Sequence, residues 1–529
     1  MSENPAPVAS LPEVAPVDGS SVAGQEIEVK LTGDPARIER ATQWLAENGA
    51  QLWPRATSLH STYFDTETEA LRAADMVLRV RKVRSRHVLT FKWRNAEATS
   101  PFERGEAEAR LPGPEPDIDL LGEAAAARIR EICGDSPLLP RFTTEMKRRV
   151  ADLHAGLSTI EVAIDRGKVI AGEHHETIEE IEFELVEGEL GDVLDLAVRI
   201  SDACGLMLGA QTKSERGYLL ASQKGPKAVR AGDMALADDA ATEHLIGAIL
   251  GDTVEQFVAN WPAFLEAGQA EAVHQMRVSL RRLRAAIKLF QREFPCSEFA
   301  RFEQRARDIA SAMGPARDMD AFIDLVESGP QAALPNDAHF AGLIEGARKR
   351  RMEGYAQVRE VLFSPATTRF VLELHALALR RSWRGALDVS GLGKLSEPAA
   401  VFAGRTLERL HKRARKRGKD LEHLTPEDRH RLRIAFKDLR YAAEFFAPLY
   451  SHKSTRQFTR TLGGLQDVFG AYNDTISAHA IVAALETANG PMDRAAGLVL
   501  GWCARGAAEA ETHLAESWKS FRKVDKFWE

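Results

Sequence analysis

The sequence predicts an α+β protein in which an antiparallel β domain with flanking helices precedes an all-α duplicated helical bundle. Three observations favour this fold class. Apolar and polar residues alternate with period two up to about Gln223, helical periodicity dominates from about Leu236, and the helical part repeats itself at an offset of 156 residues. The chain has 529 residues, which is too long for a single hydrophobic core, so separate domains are expected.

Composition and charge are those of a globular protein with two unlike halves. Charged residues make up 28% of the chain and hydrophobic residues 44%, which excludes collagen-like and wholly disordered chains. Residues 1–220 carry 25 Lys+Arg against 38 Asp+Glu, whereas residues 221–529 carry 45 against 39. No membrane-spanning run, signal peptide or C-x-x-C pair occurs, so we expect a cytoplasmic protein without disulfides or a zinc site.

Local composition divides the chain into segments. The first residues are rich in Ala, Pro, Val and Ser without any period, and a stretch containing Gly225, Pro226 and Gly232 separates the strand-like part from the helical part. The predicted segments are a disordered leader at 1–24, the β domain at 25–221, a linker at 222–235, and the helical domain at 236–529 with copies at about 236–390 and 391–529.

Five segments of the β domain place their charged residues on one face. A solvated sheet face explains any one such strand, but five together favour a sheet that curls with its charged side inward. Amphipathic helices expected at 38–47 and 193–204 would cover the apolar side. The aligned charges are Glu26, Glu28 and Lys30; Arg79 and Arg81; Lys92 and Arg94; Glu106, Glu108 and Arg110; and Glu180, Glu182 and Glu184.

A mixed lining of acids and bases indicates phosphate and metal chemistry. Arginine offers a permanently charged, bidentate donor for phosphate oxygens, lysine offers a compact charge, and clustered glutamates are the hard oxygen ligands that Mg²⁺ or Mn²⁺ prefers. Buried charges are costly unless they pair with one another or with ions. The pattern predicts metal-assisted phosphoryl transfer, and the absence of a G-x-x-x-x-G-K-[ST] motif excludes a P-loop enzyme.

Several motifs follow one another in order across residues 25–220. They are Glu26-x-Glu28-x-Lys30, Tyr63-Phe64-Asp65-Thr66, Leu78-Arg79-Val80-Arg81, Lys92, Arg104-x-Glu106, Arg148, Glu182-x-Glu184, and Lys213 before Arg216-Gly217-Tyr218. This series resembles the CYTH domain of the triphosphate tunnel metalloenzymes. The resemblance implies an eight-stranded antiparallel tunnel that binds triphosphate compounds and requires a divalent cation, here Mg²⁺ or Mn²⁺.

The same resemblance implies a role for each matching residue. Metal binding falls on Glu26, Glu28, Glu106, Glu182 and Glu184, and catalysis on Glu26, Glu28 and Lys30. Substrate binding falls on Arg79, Arg81, Lys92, Arg148 and Lys213. Glu180 can replace Glu182 as the first ligand of its strand, because a slip of two residues keeps the same face.

The helical domain carries a basic stripe twice. His274, Arg277, Arg281 and Arg284 fall within an arc of about 80° on a helix, with apolar residues on both sides. The second copy repeats the stripe as His430, Arg433, Lys437 and Arg440. In each copy we expect a second helix that ends in a turn, at 314–318 and 470–474. Arginines that merely pair with Asp318 or Asp474 are the ordinary alternative.

This duplicated H-x-x-R helix resembles the CHAD domain over residues 236–529. The resemblance implies two helical bundles around a basic pore that binds inorganic polyphosphate through the two stripes. The second copy departs from the first where Lys437 stands for Arg281 and Asn473 for Arg317, which makes the halves unequal. The tandem arrangement of the two domains is similar to that of bacterial inorganic triphosphatases.

The leading hypothesis is metal-dependent hydrolysis of tripolyphosphate to pyrophosphate and phosphate, with polyphosphate docking on the helical domain. Hydrolysis or cyclisation of another organic triphosphate would suit the same tunnel. A non-catalytic polyphosphate scaffold is the rival from another class, and the intact Glu26, Glu28 and Lys30 argue against it. Nucleic acid is disfavoured because the stripes lack exposed aromatic residues. No membrane partner is expected, and homo-oligomers and association with polyphosphate granules stay open.

Overall fold

The computed structural model describes residues 22–94, 100–232, 234, 236–237, 239–489 and 493–529. The chain divides into two units, the first ending at Pro226 and the second beginning at Lys227. The first strand begins at Val22, so the end of the predicted leader belongs to the sheet, where Val22 pairs with Glu108. The rest of that leader lies outside the described residues.

The first unit consists of ten strands and five α-helices in its described part. The strands are β1 (Val22–Thr32), β2 (Gln51–Leu52), β3 (Thr57–Asp65), β4 (Met76–Val83), β5 (Arg86–Trp93), β6 (Glu103–Leu111), β7 (Leu139–Ala155), β8 (Ser158–Ala171), β9 (His174–Glu187) and β10 (Met207–Leu208). The helices are α1 (Pro35–Glu47), α2 (Ala70–Ala73), α3 (Glu123–Cys133), α4 (Leu190–Cys204) and α5 (Lys213–Ser222).

Eight antiparallel strands close into a barrel, which confirms the predicted fold class. The strands follow the order β1-β6-β5-β4-β3-β7-β8-β9, and β9 pairs back onto β1. In this register Glu184 lies opposite Glu28, and Glu182 lies opposite Lys30. Glu180 lies opposite Thr32, near the end of β1, and it faces the lumen as Glu182 does.

Strand alternation directs the apolar residues outward, where helices cover them. Leu78, Leu89 and Ala107 of adjacent strands pack in one core with Ile129 of α3, while α1 and α4 lie against β1 and β9. Local signals position these helices. Asp34 caps α1 by accepting the backbone N–H of Arg37, and α4 ends at Gly205, whose positive φ of 75° suits glycine.

Helix α5 packs against an apolar cluster on the inner face of the barrel. Tyr63 stacks on Phe142 with ring centroids 4.5 Å apart, and Phe142 meets the edge of Tyr218 from α5 at 5.0 Å. A Cβ at Gly217 would come within 2.1 Å of the Phe142 ring, so only glycine permits this approach. The helix starts with a capping box formed by Thr212 and Glu215. It therefore closes one end of the lumen.

The described part of the second unit is helical, as predicted. Its helices are α6 (Thr242–Ala259), α7 (Trp261–Leu265), α8 (Ala270–Glu293), α9 (Ser297–Ala312), α10 (Gly314–Ser328), α11 (Pro330–Ala333), α12 (His339–Leu362), α13 (Pro365–Arg380), α14 (Val389–Leu395), α15 (Ala399–Arg417), α16 (Pro426–Phe446), α17 (His452–Asn489), α18 (Asp493–Thr512) and α19 (Leu514–Lys523). None of the described helices combines the length and apolar character that crossing a bilayer requires.

The predicted repeat reappears as equivalent helices, with one difference. α6 and α8 of the first copy correspond to α15 and α16 of the second, and α8 packs against α16. α9 ends at Ala312 and Gly314 begins α10, whereas α17 continues unbroken through 470–474. The prediction of a turn there is wrong. Pro315 starts a new helix in the first copy, and Ala471 at the equivalent position lets the helix continue.

Candidate active site

The barrel gathers every residue predicted for the tunnel site into one lumen. Each lies at an inward position of its strand, except Lys213, which occupies the first turn of α5. The strand register makes this possible, because it places charged residues of adjacent strands side by side on the inner face of the barrel. The residues brought together are Glu26, Glu28, Lys30, Arg79, Arg81, Lys92, Glu106, Arg148, Glu182, Glu184 and Lys213.

One side of the lumen is a buried ion-pair network around Lys213. The Lys213 Nζ atom lies 2.7 Å from Asp165 Oδ2 and 2.6 Å from Glu182 Oε1, and it also contacts Glu180. Arg148 donates two hydrogen bonds of 2.8 and 2.6 Å to Asp165 and also contacts Glu182. Three carboxylates and two cations therefore share one buried volume.

The network lowers the pKa of its central carboxylate. Burial alone would raise the pKa of Glu182, but Lys213, Lys30 and Arg148 together hold it well below its usual value. The carboxylate oxygens of Asp165, Glu180 and Glu182 lie within 4.8 Å of one another, close enough to share a metal ion. Lys213, Lys30 and Arg148 pair with these carboxylates, and Lys213 connects the cluster to α5.

A second acidic group, Glu28 and Glu184, has fewer cationic partners. Burial and the nearby Glu182 raise the pKa of Glu28 to about 7, and burial with Glu26 raises the pKa of Glu184 to about 8. Glu184 forms no ion pair or hydrogen bond with any described side chain, while Glu28 lies 3.4 Å from Lys30. Glu161 on β8 faces Glu184 and adds to the repulsion. This group holds more negative charge than its neighbours balance.

Arg79 and Arg81 bring two guanidinium groups to the lumen. Burial alone would lower the pKa of Arg79, but Tyr63 and Glu106 raise it. Burial, Arg79 and Arg148 lower the pKa of Arg81 to about 10, and within the described part of the chain its Nε donates a 3.3 Å hydrogen bond only to the neutral Ser61. The Arg79 Nε is buried and has no hydrogen-bond partner among the described residues. Such guanidinium groups are suited to an anion with several oxygens.

Lys92 links the basic and acidic parts of the lumen. Its Nζ contacts Glu26 and lies 3.2 Å from Glu106 Oε1. Burial alone would lower the pKa of Lys92, but Glu26 and Glu106 raise it. Glu26 and Glu106, both predicted as metal ligands, therefore share Lys92 as their ion-pair partner.

Sequence reasoning missed three residues of the site. Glu161 and Asp165 lie four residues apart on β8, so both side chains point to the same face of the strand. This even spacing is the signal that also marks the other charged strands. Tyr63 belonged to a recognised motif but had no assigned role. Burial raises the pKa of Tyr63, but Arg79 and Arg81 outweigh burial and lower it, so its hydroxyl lies beside the basic part of the lumen.

In the second unit the two basic stripes meet where α8 packs against α16. Arg281 of α8 and Lys437 of α16, which the repeat makes equivalent, are close enough for Arg281 to disfavour the charged form of Lys437. Burial lowers the pKa of His274, and Arg317 and Arg281 lower it further. Arg433 also lies beside Lys437, so the inner members of both stripes converge.

The outer members of the stripes have local partners instead. Arg284 Nε donates a 3.0 Å hydrogen bond to Glu303, and Arg440 donates to Glu444 at 2.7 Å and to Gln466 at 2.8 Å. Arg277 donates to the carbonyl of Ala310. His430 is exposed at the start of its stripe. A purely structural role, in which the basic residue pairs with a nearby polar or acidic side chain, therefore describes Arg284 and Arg440 better than it describes Arg281 and Lys437.

Comparison with known proteins adds two family matches. Residues 24–218 match the model described as the CYTH domain, and residues 248–483 match the model described as the CHAD domain. An inorganic triphosphatase of Haemophilus influenzae is 32% identical over 200 residues, which are 38% of this chain and 56% of that protein. The matched region therefore spans little more than half the length of that relative.

Two further proteins are similar to parts of this chain. An uncharacterized protein of Mycobacterium tuberculosis is 29% identical over 199 residues, which are 37% of each chain. The crystal structure of the CHAD domain from the plant Ricinus communis is 30% identical and covers 57% of this chain and 98% of that chain, with a TM-score of 0.49.

Proposed function

This chain joins a CYTH domain at residues 24–218 to a CHAD domain at residues 248–483, and from that premise we propose that its barrel hydrolyses inorganic triphosphate to pyrophosphate and phosphate with Mg²⁺ or Mn²⁺. One observation carries the proposal. Two acids with raised pKa values, Glu28 and Glu184, share a closed lumen with the guanidinium groups of Arg79 and Arg81, and the Nε of Arg79 has no hydrogen-bond partner among the described residues. A condensed phosphate with a divalent cation would balance both sets of charges.

The acids of the lumen fit a divalent cation. Glu28 and Glu184 supply hard carboxylate oxygens, and their raised pKa values reflect a repulsion that a dication would relieve. We assign them, with Glu26, as the residues that would hold it, and Glu182 as the ion-pair partner that supports them. When bound, the cation would supply positive charge to the phosphate oxygens and lower the pKa of an attacking water.

The basic residues bind and orient the substrate. Arg79 and Arg81 hold phosphate oxygens through charged hydrogen bonds, and Lys92 balances the charge between Glu26 and the phosphate chain. Burial alone would lower the pKa of Lys30, but Glu180, Glu28 and Glu182 raise it well above its usual value. Lys30 therefore stays protonated and contributes charge instead of accepting a proton.

The test is phosphate release from tripolyphosphate by the purified full chain with Mg²⁺ or Mn²⁺. We expect Glu28→Ala and Arg81→Ala to lose about 100-fold or more of the activity, since each removes a charge that faces the substrate. Glu39→Ala is the matched control, because Glu39 is an exposed acid on α1 outside the lumen. Undiminished activity in both lumen variants would contradict the proposal. Thiamine triphosphate and ATP in the same assay separate the related chemistries.

We propose polyphosphate binding for the helical unit, at the junction of its two stripes. Support comes from Arg281, whose buried Nε has no hydrogen-bond partner among the described residues, and from Lys437 beside it. Arg281→Gln should weaken binding of long-chain polyphosphate roughly tenfold, whereas Arg405→Gln, which breaks a surface ion pair with Glu293, should not. RNA that displaces polyphosphate equally well at one salt concentration would contradict the preference.

The same two assays distinguish an enzyme from a scaffold. Polyphosphate binding without any turnover of triphosphate, in protein with bound Mg²⁺ or Mn²⁺, would favour a non-catalytic binding protein. Turnover that is lost in Glu28→Ala while polyphosphate binding persists would support one function for each unit.

A further inference from the structure

A separate cavity lies between the turn that joins β8 to β9 and the end of α5, within the first unit. Its volume is about 340 Å³, which falls in the range of about 300–1,000 Å³ that is usual for small-molecule sites. The polar part of its lining consists of Arg141, Glu173, His174 and Gln223, and small residues complete it. None of these described lining residues belongs to the active site assigned above.

A β-bulge brings Arg141 to this cavity. On β3, Tyr63 lies opposite Phe142 of β7 and Phe64 lies opposite Pro140, so Arg141 between them has no partner on β3. An extra residue of this kind bends its strand and redirects its side chain. The position of Arg141 in the cavity wall therefore follows from the irregular register of β3 with β7.

Arg141 keeps donor capacity that the described residues do not use. Its Nε is buried and has no hydrogen-bond partner among them. One Nη atom lies 3.4 Å from Glu69, and Arg72 approaches the same carboxylate more closely, at 2.5 Å. Because a buried N–H without an acceptor is costly, this position favours an oxyanion.

The other polar groups of the cavity are one acid and two neutral side chains. Glu173 lies in the turn between β8 and β9, and it forms no ion pair or hydrogen bond with any described residue. His174 Nε2 lies 2.7 Å from the amide nitrogen of Gln223. Since an amide nitrogen only donates, the imidazole accepts there and is uncharged. Arg141 and Glu173 are thus opposite charges, incompletely paired, in one cavity.

We propose that this cavity binds a small zwitterion of the amino-acid class. The carboxylate of the ligand accepts hydrogen bonds from the Arg141 guanidinium, and its protonated amine donates to the Glu173 carboxylate. A phosphate dianion fits less well, because it would place two negative charges against one guanidinium and beside an acid. The proposal requires neither triphosphate hydrolysis nor polyphosphate binding by the chain.

The test is saturation-transfer NMR on the full chain with a mixture of the standard L-amino acids at pH 7, followed by titration of those that respond. We expect at least one to bind, with a Kd about tenfold higher in Arg141→Gln. Arg86→Gln is the control, because Arg86 is exposed at the turn between β4 and β5, and it should not change the Kd. No transfer to any amino acid, or an equal Kd in Arg141→Gln and unmodified protein, would overturn the proposal.

A second variant covers the case in which Arg141→Gln fails to fold. Glu173→Gln alters an exposed turn residue and should raise the Kd of the amino acid about fivefold, whereas Glu187→Gln, at the exposed end of β9, should not. A site for simple anions predicts the reverse, since loss of the acid would strengthen their binding. An unchanged or lower Kd in Glu173→Gln would therefore overturn the proposal.

Competition distinguishes a zwitterion from phosphate as the ligand of this cavity. Inorganic phosphate at the concentration of the bound amino acid should leave the saturation transfer unchanged in the unmodified protein. Complete displacement by phosphate would assign the cavity to phosphate and overturn the proposal.

Discussion

Single residues of the barrel show why the lumen needs a ligand. Glu28 and Glu184 are partly buried beside other acids, and this setting raises their pKa values although Glu28 lies 3.4 Å from Lys30. The pKa of Glu182, which is more deeply buried, shifts in the opposite direction because three cations surround it. Two glutamates two positions apart on β9 therefore have pKa values shifted in opposite directions because their neighbours differ.

The stability of the metal-free protein should reflect these acids. Their pKa values are higher in the folded chain than the ordinary 4.5, so the folded state binds more protons than the unfolded state between about pH 4.5 and 8. Their contribution to stability therefore falls as the pH rises through that window. Glu184→Gln should be more stable than the unmodified protein at pH 8, with a smaller difference at pH 5.

Urea denaturation in the presence of EDTA measures this effect. Glu39→Gln, an exposed acid on α1, is the control and should differ little from the unmodified protein at either pH. A stability difference for Glu184→Gln that is equal at pH 5 and pH 8 would show that Glu184 titrates normally. Addition of Mg²⁺ or Mn²⁺ should stabilise the unmodified protein more than Glu184→Gln.

At the scale of elements, the N-terminal cap of α5 fixes where Lys213 enters the lumen. Its capping box starts the helix at Lys213, and Tyr218 donates a 2.7 Å hydrogen bond to Asp65 at the end of β3. Asp65 in turn accepts backbone N–H groups of Leu71 and Arg72 in α2. The helix is thereby held at both ends, with Lys213 inside the ion-pair network.

Removal of the Lys213 charge should destabilise the first unit strongly. Lys213→Met leaves Asp165, Glu180 and Glu182 with less compensation in a buried site, which costs about 3–5 kcal/mol of unfolding free energy. Lys168→Met is the control, because its ion pair with Glu145 is half exposed and contributes about 1 kcal/mol or less. Equal losses in urea denaturation would show that the network does not anchor α5.

The helical unit contains a neutral buried histidine that should make it sensitive to acid. His411 of α15 lies among aromatic rings, with its centroid 5.3 Å from Phe521 and 5.7 Å from Trp528. Burial, then Lys526 and Arg415, lower its pKa to about 4. Since the folded pKa is below the ordinary value of 6.5, its contribution is complete above pH 6.5 and is lost as the pH falls towards 4.

His411→Leu checks that contribution. The variant keeps an apolar side chain of similar size, so its stability should fall less between pH 6.5 and pH 4.5 than that of the unmodified protein. Exposed His430→Leu is the control and should leave the acid dependence unchanged. Identical acid dependence of unmodified protein and His411→Leu, measured by urea denaturation, would contradict the assignment of a neutral buried imidazole.

At the scale of the whole molecule, periodicity predicted a charged sheet face turned inward and a duplicated helical domain, whereas the eight-stranded tunnel was implied by the resemblance to the CYTH domain. Alternation in the Glu26–Lys30 segment predicted an inward charged face, and the 156-residue offset predicted equivalent helices. The turn expected at 470–474 failed because the repeat was assumed to preserve structure where Pro315 has become Ala471. The spacing of the repeat alone did not distinguish a break between two helices from one continuous helix.

The pairing of charges could not be predicted, because it depends on contacts between distant strands. Arg148 faces Asp165 only through the register of β7 with β8, and Asp165 faces Glu180 only through that of β8 with β9. The separation of compensated Glu182 from uncompensated Glu184 likewise follows from where α5 places Lys213. Closure of the barrel, which no single segment encodes, creates the site.

Diffraction at the manganese absorption edge tests the central claim most directly, with crystals of the full chain grown with Mn²⁺ and imidotriphosphate. We predict an anomalous peak about 2.2 Å from carboxylate oxygens of Glu28 and Glu184, with the triphosphate against Arg79 and Arg81. Manganese and triphosphate bound only outside the barrel, with the lumen charges unaltered, would contradict the assignment of this lumen as the active site.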